Sequence, residues 1–164
     1  MVARTLLLLR HAKSDYPADT ADHDRPLAPR GVREAGLAGA WLREHAPMID
    51  RVLCSTATRT RQTLARTGIE APVEYLDRLY DATPGTVIDV INRHGGDART
   101  LLVVGHEPAM SQVALGLAGG GDHDAADAIA RKFPTSAVAV LRTELPWAGL
   151  ELGGAVLEAF HVPR

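Results

Sequence analysis

The chain has one cysteine, Cys54, among its 164 residues. No intramolecular disulfide can form, which suits a reducing compartment and leads to the expectation of a cytoplasmic protein. Long hydrophobic runs are also missing. The first apolar stretch, residues 5–9, is too short for a signal-peptide core, and "RHAKSD" follows it in place of a small-residue cleavage site. No segment reaches the ~20 apolar residues of a membrane-spanning helix. Charge of either sign is not in excess: 18 Lys+Arg stand against 20 Asp+Glu, for a formal net charge of −2. That balance argues against broad electrostatic binding to nucleic acid or to an anionic membrane. There is no repeat of fixed period and no linker-like stretch, so one domain over residues 1–164 is expected, and a monomer is the default. A domain of this size buries roughly 70% of its unfolded-chain surface and needs no covalent staples.

What is present is an alternation of strand and helix. "RTLLLLR", residues 4–10, is a continuous apolar run bounded by charges, as in a strand buried on both faces of a parallel sheet. A polar, proline-bearing loop over 14–29 leads to a helix over 30–45, with Pro29 suited to its first turn. A short strand over 50–55 precedes a helix over 56–67, for which Ser55 is the expected N-cap and Gly68 the stop. "VEYLD" reads as a third short strand, and Thr83 with Pro84 opens a helix over 84–96. "ARTLLVVGH", residues 98–106, repeats the opening pattern, and a helix over 108–120 follows it. The glycines at 119–121 read as flexible, and the segment after them as irregular or partly helical. Two strand-like runs, "TSAVAVLRTE" and "AVLEAFHV", complete the chain. The pattern predicts an α/β fold: a three-layer sandwich with a mostly parallel central sheet, helices on both faces and antiparallel edge strands near the C-terminus.

In open α/β sheets, ligands bind outside the carboxyl ends of the strands. Three strand ends here carry unusual residues. The first ends in Arg10-His11 and the second in Cys54-Ser55, with Arg59 on the helix that follows; "LLVVG" ends in His106. Two histidines and two arginines far apart in sequence could thus meet at one sheet edge. Arginine offers a planar fork matched to phosphate oxygens. Histidine is a donor when protonated and a nucleophile when neutral. Helix N-termini add backbone N–H donors. The set suits a dianionic phosphoryl group, whose transfer needs positioning and charge stabilisation above all.

"LLLLRHAKSDYP" with "DHDRPLAPRG", "LCSTATRTRQT" and "VVGHEPAMS" resembles the histidine phosphatase superfamily, and more narrowly its short SixA-type protein-histidine phosphatases. "RH" alone is a weak signal; followed in order by S-x-x-x-R-x-x-Q-T and VGH it is a strong one. The resemblance covers most of the chain and is weakest after about residue 119. It implies a phosphoglycerate mutase-like fold, no metal and no cofactor. It implies that His11 is the transiently phosphorylated nucleophile, that Arg10 and Arg59 bind the phosphoryl oxygens, and that His106 stabilises the transferring group. Lys13 and Ser14 match the short subgroup's "RH-[AG]-K-S" pattern as candidate pocket-rim residues. Asp24 and Arg25, in the family-like "DRPL", are candidates to brace the mouth, and Arg25 is carried forward as a substrate-binding residue. The implied substrate is phosphohistidine in a protein, such as a phosphorelay histidine. A small phosphate monoester is the alternative substrate, and a non-catalytic phosphoryl-binding protein the alternative class.

Some features depart from that pattern. Larger relatives supply a general acid from mid-chain; the nearest carboxylate here is Asp81, for which a plain turn residue is the simpler reading. An alkoxide needs a proton to leave, whereas imidazole leaves with less acid help, so a missing acid tilts the reading toward phosphohistidine. Ala28 stands where a hydroxyl N-cap is usual, forfeiting ~1 kcal/mol. Glu107 follows His106, where it would raise the histidine's pKa or point to solvent. Cys54 does not start a C-x5-R phosphatase loop, because position 60 is Thr, and it reads as a buried strand residue. Arg61 and Arg66 read as surface charges. "GGG" lacks the Lys-Ser/Thr of a P-loop. "DHD" occurs at 22–24 and 122–124, and solvated loops explain both copies better than a metal site.

Overall fold

A computed structural model describes residues 2–164. Its sheet has seven strands in the order β3-β2-β4-β1-β6-β7-β5. These are β1 Arg4–Arg10, β2 Arg51–Ser55, β3 Val73–Leu76, β4 Thr100–Gly105, β5 Ala118–Gly121, β6 Val138–Thr143 and β7 Ala155–His161. The helices are α1 Pro29–His45, α2 Thr58–Thr67, α3 Pro84–His94, α4 Ala109–Leu117 and α5 His123–Arg131. β1, β2, β3 and β4 pair in parallel. The antiparallel pairings are those of β6, with β1 on one side and β7 on the other.

The four leucines explain the layers. In a strand, neighbouring side chains point to opposite faces. Leu7 and Leu9 pack with Ala38 and Leu42 of α1 and Leu64 of α2. Leu6 and Leu8 pack with Val87 and Ile91 of α3, Met110 and Val113 of α4, and Ile129 of α5. β1 lies mid-sheet with a helical layer on each side, so its apolar run does not alternate with polar residues.

Two glycines of α1 let backbones touch. A Cβ on Gly31 would collide with the carbonyl of Lys13, and one on Gly39 with the carbonyl of Thr67. The loop bearing Lys13 therefore lies directly on α1, where Lys13 O also accepts from Ala28 N–H at 2.9 Å. Ala28 itself provides no side-chain cap to α1, as its sequence requires.

Two local expectations are corrected. Ser55 does not cap α2: the N-cap is Ala57, which has no side-chain cap bond, and Ser55 ends β2 with its hydroxyl turned elsewhere. Residues 119–121 are not a loose connector, because β5 pairs in parallel with β7. Gly119 and Gly121 lie so close to the backbone of Gly153 and Leu157 that a side chain at either would clash. The second "DHD" opens α5, with Asp122 accepting from Ala125 N–H as its N-cap. Among the described residues no helix is long and apolar enough to cross a membrane.

Candidate active site

The site is assembled by strand register. β1 and β4 run in parallel with Arg10 opposite Gly105, and His11 N–H bonds Gly105 O at 3.0 Å. Each strand then releases one histidine at the same level. The rings of His11 and His106 have centroids 5.3 Å apart. β2 lies on the other side of β4, with Cys54 opposite Val104, which brings Ser55 level with Gly105, next to His106. Ser55 Oγ and His106 Nε2 are 2.8 Å apart.

The segment leaving β1 is held from three directions. Ala12 N–H donates to Thr63 Oγ1 at 2.8 Å, and that hydroxyl donates to Arg59 O. Ser136 N–H reaches the carbonyls of Arg10 and His11. Arg10 Nη1 donates to Phe133 O at 2.8 Å. From α2, Gln62 Oε1 accepts from Leu27 N–H at 2.8 Å. The "RxxQT" run thus sends Arg59 to the site and Gln62 and Thr63 to two loops that frame it.

His11 donates from Nδ1 to Ala12 O at 2.7 Å, since a carbonyl can only accept. Its Nε2 therefore carries the lone pair. Burial pushes the His11 pKa down to about 3, with neighbouring positive charge adding to the effect. His106 is pushed down to about 4, by burial first and then by Arg59. Both rings are neutral near pH 7. Glu107 does not raise His106: its carboxylate is turned to Ser111, accepting from the N–H at 2.6 Å and the hydroxyl at 2.8 Å.

Arg10, His11, Arg59 and His106 line one cleft of about 420 Å³, within the ~300–1,000 Å³ of small-ligand sites. Lys13, Ser14, Arg25 and Asp81 line it as well, together with Tyr16 and Thr135. Arg10 Nε, Arg59 Nε and His106 Nδ1 are buried without a hydrogen-bond partner. Buried polar groups are normally satisfied, so three orphaned nitrogens in one cleft mark where an oxyanion fits.

Sequence reasoning missed Asp22. The candidates in its segment were Asp24 and Arg25, yet Asp22 holds the network together. It accepts from Arg59 through its carbonyl at 2.7 Å and its carboxylate at 3.1 Å, from Arg25 Nε at 3.0 Å, and from the Tyr80 hydroxyl. These bonds, Tyr80's first, hold the Asp22 carboxyl well below the usual carboxylate range. Tyr80 lies edge-on to His106 and His23, with centroids 5.5 and 4.8 Å away. Arg25 also donates to Ser14 Oγ at 2.7 Å. His23, in the first "DHD", meets Thr56 Oγ1 at 3.0 Å. Asp24 is exposed, with only a 3.7 Å contact to His23. Cys54 is fully buried, and burial pushes its thiol up to about 12, so it supplies no thiolate.

The model of the histidine phosphatase superfamily, branch 1, matches residues 6–89. An uncharacterized protein of Mycobacterium tuberculosis strain H37Rv is 63% identical over 158 residues, spanning 95% of this chain and 100% of that one. A structure from Nakamurella multipartitia provisionally named phosphohistidine phosphatase SixA is 43% identical, with a TM-score of 0.91, covering 99% of this chain and 98% of its own. One from Agrobacterium tumefaciens with the same provisional name is 28% identical, with a TM-score of 0.78 over 98% of this chain and 99% of its own.

Proposed function

The chain belongs to the histidine phosphatase superfamily, and from that premise we propose that it hydrolyses phosphohistidine in a protein through a phosphorylated His11. The observation that carries the reading is the His11 ring. Its Nδ1–H is committed to Ala12 O and its Nε2 is a free neutral base, in a cleft whose lining residues carry three unpartnered buried nitrogens.

His11 Nε2 attacks phosphorus; the Nε2–P bond forms as the bond to the leaving nitrogen breaks. The departing imidazole takes a proton from solvent. Water then attacks phosphorus, the P–Nε2 bond breaks, and the water's proton replaces the one consumed. Each half displaces a good leaving group, which is the benefit of the covalent intermediate. Arg10 and Arg59 bind the equatorial oxygens, and His106 donates from Nδ1. Lys13, Ser14 and Arg25 shape the rim, with Ser14 and Arg25 bonded to each other. The mouth is edged by the long connection between β1 and α1, which supplies Lys13, Ser14, Tyr16 and Arg25.

A phosphomonoesterase is the second reading, favoured by one observation: Asp81 lines the cleft, where a carboxylic acid could protonate an ester oxygen. Turnover of a phosphohistidine peptide against an alkyl phosphate separates the two. Acid-labile label on His11, absent in His11→Ala, is the expected mark of the mechanism. Undiminished hydrolysis by His11→Ala would overturn it.

A further inference from the structure

Tyr16 is 72% exposed, yet it is not a loose side chain. The Arg25 guanidinium carbon lies 4.0 Å from its ring centroid. Arg25 is itself 9% exposed and is fixed by Ser14 Oγ at 2.7 Å, Asp15 O at 3.0 Å and Asp22 Oδ1 at 3.0 Å. The backbone beneath Tyr16 is pinned too. Ser14 bridges to Leu27, Asp15 N–H donates to Pro26 O at 2.8 Å, and Tyr16 N–H donates to Asp15 Oδ1 at 3.0 Å. A cation–π contact over one face orders the ring while the rest of it stays in solvent. Tyr16 lines the same cleft as Arg10 and His11. Core packing gives no reason for an ordered aromatic here, since most of its surface touches nothing.

We propose that Tyr16 is a specificity-determining residue: a preorganised platform against which a flat aromatic leaving group stacks while its phosphoryl group sits between Arg10, His11, Arg59 and His106. Its natural occupant is the imidazole of a phosphohistidine, so the inference rests on the function proposed above. A ring already ordered by Arg25 loses little freedom when the substrate arrives, which favours affinity. Aromatic pairing of this kind is worth about two- to tenfold in binding. The platform favours aromatic P–N or P–O substrates over aliphatic ones and is indifferent to the phosphoryl group itself.

The test uses the whole protein and two non-hydrolysable probes, phenylphosphonate and methylphosphonate, titrated by calorimetry. Wild type should bind the phenyl probe about tenfold more tightly. Tyr16→Ala should bring that ratio close to one while leaving methylphosphonate affinity unchanged, and Tyr16→Phe should keep the preference. A preference that survives in Tyr16→Ala, or a wild-type ratio near one, overturns the proposal. So does equal weakening of both probes, which would mark the ring as loop packing. Because binding is read without turnover, a protein that binds with this preference but hydrolyses no phosphohistidine peptide would sink the proposed function and spare the platform.

Discussion

His106 Nε2 sits 2.8 Å from Ser55 Oγ, while His106 Nδ1 is buried with no partner. Ser55 Oγ already accepts from Ala57 N–H at 3.3 Å, and its hydroxyl proton has no other acceptor in the site. The proton therefore goes to Nε2, which places the ring's own N–H on Nδ1, free for a phosphoryl oxygen. Ser55→Ala removes that selection and lets the neutral ring adopt the tautomer with a lone pair facing the anion. kcat should fall about tenfold, equivalent to ~1.4 kcal/mol of transition-state stabilisation. Ser55→Thr, which keeps the hydroxyl, should retain more activity than Ser55→Ala in steady-state assays of both.

Asp22 both orients Arg59 and sets a negative charge beside it. Asp22→Asn should therefore act on two quantities in opposite directions. Inorganic phosphate should inhibit more strongly, because a carboxylate that repels it is gone. kcat should fall, because one of the two side-chain oxygens that serve Arg59, Tyr80 and Arg25 becomes an NH2 donor, while the main-chain bond to Arg59 stays. Inhibition constants and kcat from one set of assays check both signs; weaker phosphate inhibition would show that orientation outweighs charge.

Burial lowers His11 to about 3 and His106 to about 4, against about 6.5 in an unfolded chain. Between those values the unfolded state binds protons that the folded state refuses, so stability rises with pH across the window and is lost as pH falls from about 6.5 toward 4. Each histidine contributes a slope of at most ~1.4 kcal/mol per pH unit. Urea unfolding at pH 7 and pH 5 should show the loss, and His11→Asn should reduce the slope. A phosphate ion bound between the rings favours their charged forms and should flatten the dependence.

The strand ends that meet at the cleft were legible because a buried strand writes itself as an apolar run, and a charged pair at its end stands out. "RTLLLLRH" and "LLVVGH" placed His11 and His106, and the pairing of β1 with β4 brings them level. Asp22 and Tyr80 were not legible in the same way. Asp22 lies in a short loop, where no periodicity says which carboxylate turns inward, and its partners Arg59 and Tyr80 are 37 and 58 residues away. Ser55 sent a misleading signal: a serine ahead of a helix reads as a cap, but the chain bends through Thr56 and Ala57 before the helix starts at Thr58, and the Ser55 hydroxyl meets His106. β5 was hidden for a different reason, since glycines carry no strand propensity and are required there only by the closeness of β7.

Asp81 has φ 53°, a left-handed backbone that aspartate and asparagine tolerate better than most residues. Asp81→Asn thus removes the acid without disturbing the turn. Imidazole is the better leaving group and needs little protonation at the moment of P–N cleavage, whereas an alkoxide cannot depart without a proton. Hydrolysis of a phosphohistidine peptide should change less than about twofold in Asp81→Asn, while any turnover of an alkyl phosphate should fall at least ~10²-fold if Asp81 is its acid. Parallel kinetics on the two substrates decide the matter. Equal loss on both would make Asp81 part of phosphoryl binding, and no loss on either would leave it a turn residue at the rim.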